Sequence, residues 1–157
     1  RWGGPALLVV AGVLLAGDLW NDVRYHQILA TSGGYAAHSD ASYGLAETLE
    51  RAGRPVVALD WGIQAQAQLL TLGRLAPREL FGYASLDAPD AEFAGRLEPY
   101  LARPEVIYVL HSAEGEVYRG RSEAFAVAVQ AAGKTARVLD AIHERSGRIA
   151  YILVGVE

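Results

Sequence analysis

Two short stretches of this 157-residue chain combine residue types that catalyse reactions or hold ligands. Asp60-Trp61-Gly62 follows the apolar run 56–59, and His111-Ser112 follows a second apolar run, 106–110. A carboxylate, an imidazole and a hydroxyl can exchange protons or hold a polar ligand. In an open α/β sheet, ligands bind beyond the carboxyl ends of the strands. Asp60, Trp61, His111 and Ser112 are therefore the candidate ligand-binding residues.

The same residues also have structural interpretations. Asp60 is a candidate N-cap for the helix that follows it, and Trp61 a candidate packing residue over the sheet edge. A Ser/His/Asp hydrolase would need a G-x-S-x-G turn, which the sequence lacks, and the adjacency of His111 and Ser112 does not aim one side chain at the other. Neither turn carries the glycine pattern of a dinucleotide-binding or phosphate-binding loop. No catalytic residue is predicted.

Composition excludes several classes of function. The chain has 14 Lys+Arg against 18 Asp+Glu, a net charge of −4, which argues against nucleic acid as a partner. With no Cys, disulfide scaffolds, thiolate zinc sites and iron–sulfur clusters are excluded. The four histidines lie far apart along the chain, so no metal site and no cofactor are predicted. The chain starts at Arg1 and contains no Met, so we expect it to be a piece or a processed form of a longer protein.

The first segment, residues 2–17, contains no charged residue. It is short for a membrane span, which needs about 20 apolar residues. A secretory signal is disfavoured because Leu14-Leu15-Ala16 lacks a small-x-small cleavage pattern. A buried core helix remains the alternative, although the segment is apolar on every face. We interpret residues 1–20 as the end of a transmembrane helix, with Arg1 at the cytoplasmic end and residues 18–22 at the outer interface.

After residue 39, helical apolar periodicity alternates with short apolar runs. Residues 21–38 are interpreted as a connector and residues 39–157 as a soluble α/β domain. Helices are predicted over 41–52, after Asp60, after residue 90 and around 125–132, and strands over 56–59, 106–110, 135–142 and 148–156. This order predicts an α/β fold: a three-layer Rossmann-like sandwich with a mainly parallel sheet and an antiparallel C-terminal hairpin, preceded by an apolar N-terminal helix.

Three stretches carry a resemblance to a known family. They are DASYGLAETL at residues 40–49, PVVALDWGI at 55–63 and SGRIAYILV at 146–154. Together with the apolar first segment, they resemble the C-terminal extracytoplasmic domain of bacterial multi-spanning glycosyltransferases. These are the protein-mannosyltransferase-like enzymes of glycosyltransferase family 39, with the GT-C architecture.

The resemblance implies a transferase that takes a sugar from a polyprenyl-phosphate donor on the outer face of the membrane. In that family the catalytic acidic residue lies in the first extracytoplasmic loop, upstream of this chain. The chain would be a non-catalytic accessory domain, with the membrane and the rest of the transmembrane protein as partners. Asp60, Trp61, His111 and Ser112 would contact the acceptor or the polyprenyl-phosphate sugar. A membrane-anchored α/β module that binds a small ligand, and a purely structural or interaction domain, are the alternatives.

Overall fold

The computed structural model describes residues 3–34, 38–81 and 85–157. Within these ranges a long N-terminal helix precedes four shorter helices and five strands. The helices are α1 (Gly3–Ser32), α2 (Ala41–Ala52), α3 (Ile63–Leu70), α4 (Phe93–Leu101) and α5 (Arg121–Ala131), and the strands are β1 (Val56–Ala58), β2 (Arg78–Glu79), β3 (Ile107–His111), β4 (Ala136–His143) and β5 (Ile149–Val156).

Helix α1 stands apart from the rest of the molecule. It has 30 residues, about 45 Å at 1.5 Å per residue, and its side chains from residue 4 to residue 31 are exposed. Over residues 4–32 it is the one described helix long and apolar enough to cross a membrane. Arg1, placed by the sequence at the cytoplasmic end, lies outside the described residues.

The helix does not stop where the predicted membrane span ends, near residue 20. Helix α1 continues through most of the segment that the sequence assigns to a connector and ends at Ser32. Asp18 and Asp22 mark the end of the apolar stretch, but charged residues do not break a helix. Gly33 and Gly34 end the helix. Their φ angles are 71° and 102°, which residues with a side chain rarely adopt.

The junction between α1 and the remaining domain is closed by hydrogen bonds. Gly33 O accepts the amide of Asp40 at 2.7 Å, and a Cβ at Gly33 would collide with the Asp40 carboxylate. Arg145, from the turn between β4 and β5, donates to Ala30 O at 2.9 Å and pairs with Asp40 at 2.5 Å. The end of α1 is thereby joined to α2 and to the hairpin.

The five strands form one mixed sheet in the order β2-β1-β3-β5-β4. Strand β1 pairs in parallel with β2 and β3, whereas β5 is antiparallel to both β3 and β4. The α/β class and the C-terminal hairpin agree with the sequence prediction. Four strands run in one direction and β5 runs opposite to them, between β3 and β4, so the sheet is mixed.

Apolar side chains alternate between the two faces of the sheet, as the two-residue period of a strand requires. In the segment 56–59, Val57 and Leu59 pack in one buried cluster, and Val56 and Ala58 in the other. The first cluster contains residues of α4 and α5, and the second contains residues of α2 and α3. Both faces of the sheet are therefore covered by helices.

Strand β2 is absent from the sequence prediction, which treats residues 74–88 as a loop. It consists of Arg78 and Glu79, paired with Val57 and Ala58 at one edge of the sheet. Two charged residues carry no strand periodicity. The turn after β1 is of direct interest, because it holds Asp60 and Trp61.

Candidate functional site

Asp60 and His111 meet at the carboxyl ends of two neighbouring parallel strands. The register pairs Ala58 of β1 with Val109 of β3, so the residues two positions on lie side by side. His111 Nδ1 is 2.7 Å from Asp60 Oδ2, and the two residues are 2% and 1% exposed. The contact brings together two of the four residues that the sequence names as candidates for ligand binding.

The Asp60 carboxylate also accepts three backbone amides. These are the amides of Trp61 at 2.8 Å, Val117 at 2.8 Å and Tyr118 at 3.1 Å. A carboxylate with four donors uses its full acceptor capacity. The N-cap interpretation of Asp60 is wrong, because the N-cap residue of α3 is Gly62, with φ of 82° and no side-chain cap. Asp60 instead fixes the loop 112–120 to the end of β1.

His111 has a defined orientation. Because Asp60 is an acceptor, we assign the ring proton to Nδ1, which leaves a lone pair on Nε2. Nε2 is buried and has no hydrogen-bond partner among the described residues. The ring lies against Tyr151, with 5.0 Å between the ring centres, and the Tyr151 hydroxyl donates to Gln66 Oε1 at 2.8 Å.

Ser112 does not join this pair. Its amide donates to Ala150 O at 2.9 Å, and its side chain lines a separate small cavity of about 10 Å³ with Glu144 and Arg148. A nucleophile, a base and an orienting acid must lie in one hydrogen-bonded row to act as a triad. The buried Asp60 and His111 therefore form a structural contact between β1, β3 and the loop, not a hydrolytic centre.

A second carboxylate organises the other end of the same loop. Glu116 accepts the amides of Gly120, Arg121 and Ser122 at 3.0–3.2 Å, at the N-terminus of α5. The run GEVYRGRS, residues 115–122, has the spacing of a phosphate-binding loop between a strand and a helix, with Arg121 in the lysine position. The sequence prediction missed this near match.

The structure explains why the loop does not act as a phosphate cradle. The Glu116 carboxylate already occupies the helix amides to which an anion would bind. The Arg121 guanidinium carbon lies 5.6 Å from the centre of the Phe93 ring and 5.3 Å from that of Tyr118. Arg121 is 1% exposed. It therefore packs into the domain and does not face a ligand.

Trp61 is placed differently from Asp60, although the two are adjacent. Its side chain is 43% exposed and lines a groove of about 440 Å³ along α3, together with His38, Gln64, Gln68 and Glu79. Of the four predicted ligand-binding residues, only Trp61 reaches an open surface of this size.

A larger groove of about 640 Å³ lies between the end of α1 and helices α2 and α3. His26, Asp40, Tyr43 and Arg145 contribute its polar lining. His38 lines both this groove and the one beside Trp61, so the two are adjacent. Residues 3–34, 38–81 and 85–157 contain no group of three or more His, Asp or Glu side chains that could hold a metal ion.

Tyr151 and Tyr108 make the domain sensitive to alkali. Burial raises the pKa of each from the usual 10 to about 12. The folded state therefore holds these protons at a pH where the unfolded chain releases them. The stability that this difference provides is fully present below pH 10 and is lost as the pH rises toward 12.

We expect the free energy of unfolding to fall by about 1 kcal/mol per buried tyrosine between pH 8 and pH 11. Chemical denaturation of the Tyr151→Phe variant at both pH values measures the contribution of that group. The variant should lose less stability than the parent chain over this interval. An equal loss would contradict the assignment.

In comparisons with known proteins, no family model, no curated protein and no solved structure matches the chain.

Proposed function

We propose that the chain is a non-catalytic extracytoplasmic accessory domain of a membrane glycosyltransferase that uses a polyprenyl-phosphate-linked sugar. The observation that carries the membrane part of the proposal is α1. Its leucine and valine side chains from residue 7 to residue 15 are 56–75% exposed, with no other part of the described chain covering them. An apolar surface of this size needs a solvent other than water, and a lipid bilayer supplies one.

The accessory role is supported by the burial and the hydrogen bonds of the polar residues. Asp60 and His111 are buried and hold a loop, and Ser112 lines a separate cavity. Glu116 is committed to the helix terminus of α5. The resemblance of residues 40–49, 55–63 and 146–154 to glycosyltransferase family 39 supports the class of the enzyme. We also infer that the helix-covered sheet is a three-layer Rossmann-like sandwich.

The junction with α1 supports a role close to the membrane surface. Arg145 donates to Ala30 O and pairs with Asp40, so these contacts join the last turns of α1 to the domain. The two adjacent grooves lie at this junction and beside α3. Residues 22–32 of α1 then extend about 15 Å beyond the predicted outer interface, on the side where a lipid-linked sugar and its acceptor meet.

Sugar transfer by the full-length gene product tests the proposal. Membrane vesicles containing it are given a radiolabelled polyprenyl-phosphate mannose, glucose or arabinose, and label in the acceptor fraction is counted. We expect transfer from one of these donors. We expect Ser112→Ala to keep the rate within about tenfold, because loss of a general acid or base costs at least about 100-fold. Transfer from none of them, or loss of transfer in the folded Ser112→Ala variant, would overturn the proposal.

A further inference from the structure

We propose that the groove along α3 is a binding site for a neutral saccharide. Trp61, Gln64, Ala65 and Gln68 all line the groove. Gln64 and Gln68 are four residues apart on α3, a spacing that places their side chains next to each other on the helix surface. Trp61 lies outside the helix, directly before its N-cap Gly62, and lines the groove beside the first turn of α3.

The polar groups on this face are available to a ligand. The side-chain amides of Gln64 and Gln68 make no hydrogen bond to the described residues. The side chain of Gln66, on another face of the helix, accepts a hydrogen bond from the Tyr151 hydroxyl. A primary amide carries two donors and an acceptor close together, which fits the adjacent hydroxyls of a sugar.

The apolar part of the groove fits the other side of a sugar ring. An exposed indole offers a flat surface to the C–H face of a pyranose, with its N–H free to meet a hydroxyl. Ala65 lines the same groove, and its small side chain lets a ring approach the backbone. The volume of about 440 Å³ is within the usual range of small-molecule sites.

Charge selects against acidic sugars. Among the described residues of the lining, Glu79 carries a carboxylate and no Lys or Arg is present. A uronic acid or a phosphosugar would meet this carboxylate, with His38 as the one basic side chain of the described lining. The groove therefore favours a neutral hexose chain. The role of that saccharide as the acceptor rests on the proposed function, whereas its binding to the groove does not.

Isothermal titration calorimetry on the chain in lipid nanodiscs tests the site, with mannotriose and maltotriose as neutral probes and trigalacturonate as the acidic one. We expect saturable binding of a neutral trisaccharide. Trp61→Ala, and separately the pair Gln64→Ala and Gln68→Ala, should weaken it about tenfold or more, the equivalent of about 1.4 kcal/mol. Trp20→Ala, which removes an exposed tryptophan of α1, should leave the affinity unchanged. Circular dichroism confirms that each variant is folded.

Absence of binding by both neutral probes would overturn the inference, and so would unchanged affinity in the folded Trp61→Ala variant or a preference for trigalacturonate. Saccharide binding without sugar transfer in vesicles would support the saccharide site and refute the proposed function. Sugar transfer without saccharide binding would support the proposed function and refute the saccharide site.

Discussion

Replacement of Asp60 by alanine is expected to lower the free energy of unfolding by about 3–5 kcal/mol, because each buried donor left without an acceptor costs about 1–3 kcal/mol. The substitution leaves His111 Nδ1 and the amides of Val117 and Tyr118 without their acceptor. It also removes the contact that joins the loop 112–120 to β1. Loss of a helix cap alone would cost about 1 kcal/mol.

Asp140 provides a matched control for this substitution. Its carboxylate accepts the amide of the next residue, Ala141, at 2.8 Å, as Asp60 accepts the amide of Trp61, but Asp140 is exposed. Chemical denaturation should show that Asp140→Ala costs no more than about 0.5 kcal/mol. Similar losses in the two variants would contradict the role assigned to the Asp60 and His111 contact.

Introduction of arginine at Val10 should release the chain from membranes. Val10 lies near the middle of the uncharged stretch of α1, and an arginine at the centre of a spanning helix costs about 2.5–3.5 kcal/mol on insertion scales. This shifts the equilibrium toward the aqueous fraction by a factor on the order of 100. The fraction of the chain that resists alkaline carbonate extraction measures the shift.

Val127 is the matched position in the folded domain. It is 65% exposed on α5, compared with 56% for Val10 on α1. Val127→Arg should leave the membrane-bound fraction unchanged, because this side chain faces water and not lipid. Equal retention of the Val10→Arg and Val127→Arg variants in the membrane would show that α1 is not the anchor.

The regular elements were largely predictable because their patterns are local. The predicted bounds of α2 match the structure, and Gly53 ends that helix in the left-handed conformation, as its position in the sequence indicates. The short buried run 56–59 between Pro55 and Asp60 contains β1. The full length of α1 does not follow from hydropathy, because the apolar stretch ends at Asp18, whereas the helix ends before Gly33.

The candidate site was predictable in position but not in role. The end of a parallel strand places Asp60 beside His111, but the partners of the carboxylate come from residues 117 and 118, more than fifty positions away. Only the folded loop shows that these amides occupy it. In the same way, GEVYRGRS matches a phosphate loop by spacing, and the structure shows that Glu116 fills the position of the anion.

Labelling of introduced cysteines tests the membrane-held, extracytoplasmic placement most directly. The chain has no cysteine, so Val10→Cys and Val127→Cys each carry a single thiol in this chain. Intact cells expressing either variant are treated with a membrane-impermeant maleimide, before and after lysis by detergent. We predict that the thiol at position 127 is labelled in intact cells, and that the thiol at position 10 is protected until detergent is added. Labelling of position 127 only after lysis would place the domain inside the cell, and labelling of position 10 in intact cells would contradict the membrane span.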